Sequence, residues 1–366
     1  MKKVLLILMC CMAIQSVHAQ DTPKWADKAK KAVFSIVTYD KENKIKNTGN
    51  GFYINNNGTA LSDYSLFEDA ERAVIINADG KELPVTRIAG ANSMYDVIKF
   101  RTETEKKITA LKVATQPAAV GETVYLLPYS TQKAATCQTG KVTQVDTIAD
   151  KAYYYTLTMT TSDKTVSCPI MNANGEVLGL IQKSASEEDK ESYAIGASYG
   201  ESLSISPLSA NDINLNKIGI AKALPETEDQ ALVYLYMSSS QMDAKNYLAT
   251  LNDFLQAYPN STEGYTRRAG YYMNIGDDEH NALAEADLKK AMDVSGNKTE
   301  GQYNVAKIIY SYCINLEEGK KAYGDWRELR QSIKYHSRSY RNRCTTGLYS
   351  IGRRYFICNA QLYRCV

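Results

Sequence analysis

Histidine is scarce in this sequence: three of the 366 residues are His, at positions 18, 280 and 336. None of them lies between residues 31 and 205. Imidazole is the side chain that most often acts as a general base near neutral pH. The absence therefore excludes a local histidine base from 31–205, and any such base would have to come from His280 or His336.

Charge imbalance, metal-ligand spacing and long apolar runs are missing as well. The net charge is +2, which gives no electrostatic case for a nucleic-acid partner. There is no Cys-x-x-Cys pair and no Cys/His cluster, so the sequence predicts no metal site and no cofactor. The apolar run at 4–14 is too short to span a bilayer, and we expect no transmembrane segment.

The first residues have the pattern of an export signal. Lys2 and Lys3 precede the apolar run, and small residues follow it up to Ala19. We expect residues 1–19 to be a signal peptide that is cleaved after Ala19, with the mature protein periplasmic or secreted. A lipoprotein anchor at Cys10 or Cys11 is the weaker alternative, because the residue before a lipidated cysteine is normally small.

Short apolar segments between Gly, Asn and Asp turns occupy the chain from 31 to 205. They predict many short strands, as in an all-β sandwich or a pair of barrels, so 20–206 is expected to be one β-domain. From about Pro207 the residue pattern changes, and the run 207–226 has the mixed polarity that is typical of a linker. Helical spacing of apolar residues follows over 227–326.

The helical region resembles tetratricopeptide (TPR) repeats. The matching positions in its first helix, turn and second helix are Tyr265, Ala269, Tyr272, Ile275, Gly276, Ala284, Leu288 and Ala291. Small residues at such positions let paired helices approach, while aromatic residues fill the space between pairs. The connection is a few residues longer than the repeat requires, and a generic helical hairpin would need the same residue types.

Three motifs in the β-domain match one enzyme family. The run "GNGFYINNNGTALSDYS" (49–65) parallels the segment that leads to a catalytic histidine, and "YDVIKF" (95–100) parallels the segment that carries a catalytic aspartate. The run "PIMNANGEVLGL" (169–180) parallels the hairpin that follows a nucleophilic serine. Residues 32–198 thus resemble trypsin-like serine proteases, especially the HtrA type. The resemblance implies a double β-barrel with a catalytic Ser-His-Asp triad.

The register of these motifs places other residues at two of the three triad positions. Asp96 matches the family's aspartate, but its histidine falls on Ser65 and its nucleophile on Val166. A serine hydroxyl is not a base at neutral pH, and valine has no group that could attack a carbonyl. The loop that forms the oxyanion hole is changed too, since Lys164 and Thr165 stand where the family reads Gly and Asn or Asp.

Two neighbouring side chains offer alternative nucleophiles. Ser167 and Cys168 flank the nucleophile position, and a thiolate would be the stronger of the two. Either would still need a base, which the helical region would have to supply. Cys168 has two further interpretations, as a buried small residue or as the partner of Cys137 in a disulfide.

The end of the chain, 327–366, has an atypical composition that is rich in Arg, Cys and Tyr. It contains eight of the thirteen arginines and only one acidic residue, Glu328. A basic, aromatic tail for nucleic acid is one interpretation, which export disfavours. We favour a shifted or truncated reading frame near Trp326, because the codons read one nucleotide later permit another TPR-like helix.

The sequence as a whole predicts an N-terminal trypsin-like double β-barrel followed by C-terminal TPR-like α-helical hairpins. The framework residues are kept while the catalytic ones are lost, which favours a catalytically inactive scaffold for a protein or peptide partner. Extended peptides could join the barrels by strand addition. The alternatives are a peptidase acting through Cys168 or Ser167 and a purely structural envelope component. Nothing in the sequence indicates the oligomeric state.

Overall fold

The structure is a computed structural model that describes residues 22–104, 108–149, 152–182, 190–297, 299 and 301–309. The predicted signal peptide and the Arg-rich tail lie outside these residues. The chain divides into two compact units, with the boundary between Glu226 and Thr227. Within the described ranges, no helix is long and apolar enough to cross a membrane.

The first unit contains two closed barrels of six antiparallel strands each, as the sequence predicts. In the first barrel the neighbours run β1-β2-β3-β6-β5-β4, and in the second β10-β11-β12-β9-β8-β7. In chain order the strands are β1 Val33–Tyr39, β2 Ile45–Tyr53, β3 Thr59–Ser62, β4 Arg72–Ile76, β5 Glu82–Asn92, β6 Val97–Thr102, β7 Thr123–Leu126, β8 Gln138–Ala149, β9 Ala152–Leu157, β10 Pro169–Met171, β11 Val177–Ile181 and β12 Ser192–Gly196.

Apolar side chains of alternating strand positions fill the first barrel. Phe34 on β1 and Phe52 on β2 are fully buried, and Phe67 packs on Phe100 with ring centroids 5.1 Å apart. Such a core removes large aromatic surfaces from water, the main favourable term in folding. It also fixes the register of β2, in which Ser35 of β1 pairs with Asn50.

The hairpin between β10 and β11 holds the N-terminal segment. Gly175 adopts φ +77°, a left-handed conformation that glycine accepts without strain. A Cβ on Gly175 would lie 2.7 Å from the Trp25 ring, and the indole N–H donates to Ala173 O at 3.0 Å. The short helix α1, Ala26–Ala29, follows Trp25. The hairpin motif that carries the family resemblance thus also anchors the start of the described chain.

The segment 207–226, for which the composition predicts a linker, lies against the first barrel. It includes α3, Ile213–Asn216, after the helix α2, Ala197–Ser202. Gly219 N–H donates to Ala70 O, and Ile88 exchanges hydrogen bonds with Ala221 and Ala223 at 2.8 and 2.7 Å. These hydrogen bonds join backbone groups, so they produce no periodic pattern of side chains from which they could be predicted.

The second unit is helical. Its helices are α4 Glu228–Ser238, α5 Ala244–Ala257, α6 Thr262–Ile275 and α7 Asp278–Val294, and residues 301–309 are also helical. A side-chain oxygen caps the N-terminus of each of the four named helices, from Thr227, Asp243, Ser261 and Asp277 respectively.

The helices α6 and α7 form a hairpin with a shared core. Gly276 ends α6 in the left-handed conformation, with φ +76°. Five of the positions that carry the TPR resemblance, Ala269, Tyr272, Ala284, Leu288 and Ala291, are buried in one cluster, and the partly buried Tyr265 packs against it. Ile275, by contrast, is exposed. The assignment of this hairpin to the TPR family stays a prediction.

Candidate functional site

Ser65 and Asp96, two of the three positions singled out in the sequence, meet at the end of the first barrel. Ser65 lies in the 3₁₀ turn Tyr64–Leu66 after β3, and Asp96 precedes β6 with φ +48°. Asp96 Oδ1 accepts the Ser65 N–H at 2.7 Å, and Asp96 Oδ2 accepts the Ser65 hydroxyl at 3.0 Å. Both carboxylate oxygens are therefore engaged by a residue that cannot act as a general base.

Val166, at the nucleophile position, lies in a tight turn formed by 162–167, here named the closed turn. The N–H groups of Thr165 and Val166 both point to Ser162 O, at 2.8 and 3.3 Å. Ser162 N–H in turn donates to Thr165 Oγ1 at 2.9 Å. The amide that would have to point at a substrate oxygen is thus used within the turn.

The side chains of the closed turn do not replace the missing chemistry. Lys164 is exposed, Val166 is half-buried, and the Thr165 hydroxyl donates to Ser162 O at 3.0 Å. The turn therefore presents a lysine and a valine at its surface, while the hydroxyl of Thr165 is occupied.

The alternative nucleophiles are inside the protein. Ser167 and Cys168 both have 0% exposure, and burial raises the pKa of the Cys168 thiol to about 12. A thiol of that pKa is protonated at neutral pH, and only the thiolate is a strong nucleophile. His280, one candidate for a distant base, contacts Asp277 through Nδ1 at 2.7 Å, while His336 lies beyond the described residues.

The candidate disulfide is not formed in this structure. Cys137 and Cys168 are both free thiols. Burial, with a smaller effect from the Asp27 charge, raises the pKa of Cys137 to about 11.

Asp63 is a buried acid that sequence reasoning missed. Its exposure is 2%, and burial, followed by the charge of Asp96, raises the pKa of Asp63 well above its usual range. Ser167 is close enough to lower that pKa slightly. Yet within the described part of the chain neither Asp63 Oδ1 nor Ser167 Oγ has a partner with proper hydrogen-bond geometry. The position of Asp63, two residues before Ser65, was the signal in the sequence that could have identified it as part of the site.

Asn50 is a second residue that the sequence reasoning passed over. Its side-chain Nδ2 donates to Lys164 O at 3.1 Å and to Val166 O at 2.9 Å. The pair Gly49 and Gly51 around it was the available signal, since glycines mark close backbone approach. Asn50 links the first barrel directly to the closed turn.

The helical unit contains a groove of about 470 Å³ over α6. In the centre of this helix a Cβ on Gly270 would have no atom within 4 Å. Arg267, one turn earlier, bonds Glu263 at 3.0 Å, while its Nε is buried without an acceptor among the described residues. The groove is lined by Ser239, Met242, Ala244, Tyr247, Arg267, Gly270, Tyr271 and Asn274.

The family model that part of the chain matches agrees with the barrel architecture. Residues 49–180, a little over a third of the chain, match the model of the trypsin-like peptidase domain. Among solved structures, the serine endoprotease from Yersinia pestis is similar at 15% identity with a TM-score of 0.41. That similarity covers 48% of this chain and 61% of the endoprotease, so it spans less than two thirds of that protein. No curated protein matches the chain significantly.

Proposed function

We propose that this chain, which carries a trypsin-like peptidase domain at 49–180, is an exported and catalytically inactive member of that fold that binds protein or peptide partners. The single observation that carries the inactivity is the geometry at Ser65 and Asp96. The aspartate that should orient a base has both oxygens bonded to a serine instead.

The nucleophile side of the site supports the same conclusion. Hydrolysis of a peptide needs an attacking group and a pocket of N–H donors for the developing oxyanion. Val166 offers no attacking group, and its N–H donates to Ser162 O. At Val166 a substrate carbonyl would therefore find no attacking group, and the Val166 N–H would already be bonded.

A peptidase acting through Ser167 or Cys168 is the alternative, and the burial of both residues speaks against it. A substrate would have to reach side chains with 0% exposure, and the thiol would have to ionise despite its pKa of about 12. No histidine is available between residues 31 and 205 to activate either group.

The helical groove supports the binding role better than the barrels do. Strand addition needs a strand edge with unpaired N–H and C=O groups, and both barrels are closed. The groove instead offers open space over Gly270, with aromatic walls at Tyr247 and Tyr271. The Arg267 guanidinium, whose Cζ lies 5.8 Å from the Tyr236 ring, is paired with Glu263 at 3.0 Å, and its Nε is left as a donor for a carbonyl or carboxylate oxygen of a bound segment.

The inactivity is tested with covalent probes on the purified full-length protein. We expect no labelling by a fluorophosphonate, no site-resolved alkylation of Cys168 by iodoacetamide under native conditions, and no cleavage of unfolded casein. Cleavage that is lost on Cys168→Ala or Ser167→Ala would overturn the proposal in favour of the peptidase.

Partner binding is tested by affinity capture from the exported fraction with three baits. Wild type and Gly270→Ala should capture the same proteins, because alanine leaves most of the groove open. Gly270→Trp, which fills the groove, should lose them. Capture that does not differ between these baits would exclude the groove as the binding site, and no capture with any bait would favour a purely structural role.

A further inference from the structure

The backbone groups of the closed turn 162–167 bond both within the turn and outside it. The Thr165 and Val166 N–H groups donate to Ser162 O inside the turn. The carbonyl groups of Lys164 and Val166 accept hydrogen bonds from a side chain on β2 of the first barrel. The turn is therefore held by internal bonds on one side and by contacts with another barrel on the other.

One side chain makes those contacts. Both protons of the Asn50 amide are used, one for Lys164 O and one for Val166 O, across 114 and 116 residues of sequence. Asn50 is only 5% exposed, so water competes little for these bonds. The donors and acceptors also fix the orientation of the amide, since both partners are carbonyl oxygens.

The position of Asn50 is itself tightly defined. The backbone carbonyl of Asn50 accepts a hydrogen bond from the fully buried Ser62 hydroxyl at 2.6 Å. On either side the backbone is crowded: a Cβ on Gly49 would lie 2.4 Å from Leu66, and one on Gly51 would lie 2.7 Å from the Leu61 carbonyl oxygen. The Asn50 backbone therefore cannot shift to follow the turn if the turn moves.

The backbone of the closed turn is strained at its last residue, Ser167. Ser167 adopts φ +65°, a left-handed conformation that is unfavourable for a residue with a side chain, and its buried hydroxyl lacks a well-formed bond in the described structure. A strained segment persists only when its surroundings hold it in place.

We infer that Asn50 is a positioning residue that locks the closed turn to the first barrel and so keeps the oxyanion pocket collapsed. The inference deepens the proposed function, because it gives the inactive site a second cause that is independent of the missing triad side chains. When the two Asn50 bonds break, the turn opens, and Cys168 directly behind it becomes accessible.

Asn50→Asp tests the lock in the full-length protein, because aspartate keeps the shape and loses both donors. The matched control is Asn47→Asp on the same strand, whose side-chain Nδ2 donates to Ser65 O and Leu66 O at 3.4 and 3.3 Å and does not bond to the turn. The readouts are the alkylation rate of Cys168 by iodoacetamide, mapped by mass spectrometry, and hydrogen exchange in peptides covering 160–170 and β1.

We expect Asn50→Asp to speed both Cys168 alkylation and exchange at 160–170 by about 10- to 100-fold, equivalent to ~1.4–2.8 kcal/mol in the opening equilibrium. Exchange in β1 should stay unchanged, and Asn47→Asp should behave as wild type at the turn. Rates at the turn that remain at the wild-type level, or that rise only in parallel with those of β1, would overturn the lock.

A second variant covers the case in which Asn50→Asp does not fold. Asn50→Ser introduces the residue that the trypsin-like pattern has at this place, which is too short to reach both carbonyls, and it should give the same local opening. Protection of the turn equal to wild type in this folded variant would contradict the inference. Wild-type peptidase activity would refute the proposed function, whereas wild-type protection of the turn in the Asn50 variants of an inactive protein would refute the lock alone, so the two failures are distinguishable.

Discussion

Replacing the buried acid Asp63 with asparagine should stabilise the first unit in a pH-dependent way. The carboxyl group has 2% exposure, and its Oδ1 has no well-formed hydrogen bond to any described residue. Burial, and after it the charge of Asp96, raises its pKa well above the usual range. In the folded protein the Asp63 carboxyl group is therefore neutral below its raised pKa. Above that pKa it is a buried carboxylate whose Oδ1 lacks a well-formed hydrogen bond to any described residue.

The sign of the pH dependence follows from the raised pKa. An unfolded chain releases the proton near pH 4, whereas the folded protein releases it only at higher pH. Below the unfolded pKa the two states bind the same number of protons, and the folded state has its full stability. As the pH rises toward the folded pKa, the unfolded state gains the advantage of a solvated carboxylate, and the stability of wild type falls.

The size of the effect is set by the raised pKa, because the stability of wild type falls by up to about 1.4 kcal/mol per pH unit between the unfolded and the folded pKa of Asp63. The asparagine side chain of the variant would be neutral at every pH, so the free energy of unfolding of Asp63→Asn, relative to wild type, should rise with that slope as the pH is raised above about 4. At a pH near 4, where wild type is also neutral, the two proteins should be nearly equal.

Urea unfolding at both pH values measures this difference. Trp25 reports on the first unit because it packs edge-on against Tyr125 with ring centroids 5.9 Å apart, and Trp326→Phe removes the other tryptophan of the chain. Asp79→Asn, at an exposed turn of the same barrel, controls for the loss of one negative charge. If Asp63→Asn kept the pH dependence of wild type, the neutral-acid reasoning would be wrong.

Two further predictions concern the helical unit, both measured by thermal melts in far-UV circular dichroism. Arg268→Leu should destabilise the α6–α7 hairpin by about 2–3 kcal/mol, because it leaves Asp287, bound at 2.7 Å by two guanidinium nitrogens, without its partner. Asp287→Leu should destabilise the hairpin by less, because the Arg268 that it leaves without this partner is more exposed than Asp287. Equal losses of stability in the two variants would contradict this account. Gly270→Ala should stabilise the helix by about 1 kcal/mol, since its Cβ meets nothing within 4 Å. Gly264→Ala is the matched opposite: its Cβ would lie 2.6 Å from Phe254, and we expect a loss of about 1–3 kcal/mol.

The double-barrel fold could be predicted because its determinants lie close together in the sequence. The 169–180 hairpin motif sets its own turn through Gly175, and the structure pairs Pro169 with Leu180 as that motif requires. The fold prediction is confirmed by the two closed barrels and the helical region after them. The family motifs singled out Ser65 and Asp96 as triad positions, but the two hydrogen bonds between them were not predicted.

The parts that escaped prediction depend on which way a side chain points. Asn50 and Val166 are 116 residues apart, and no local sequence pattern indicates that the side-chain amide of Asn50 would bond to the closed turn. The burial of Ser167 and Cys168 likewise follows from the conformation of the turn, not from their identity. For the segment 207–226 the misleading signal was composition, since its bonds to Ala70 and Ile88 are made by the backbone.

The signal peptide, the TPR assignment and the shifted reading frame remain predictions. The first and the last fall on residues 1–19 and 327–366, outside the described ranges. Resequencing the gene around the Trp326 codon tests the reading frame, and an intact frame shared by close relatives would exclude a shift.

The missing triad residues and the closed turn are physically connected. A working oxyanion pocket must keep amide N–H groups directed at an empty space, which leaves them without a protein partner until substrate binds. In the proposed inactive site, with Val166 at the nucleophile position, that arrangement would bring no catalytic benefit, and the Val166 N–H bonds Ser162 O instead. The relaxation is incomplete, however, because Ser167 keeps a positive φ and Asp63 keeps an oxygen without a well-formed bond in the described structure. A turn that had settled freely would have lost both features. Their persistence is what we expect if the surrounding framework, with Asn50 as its direct contact, still imposes the outline of a peptidase loop on the site that we propose to be inactive.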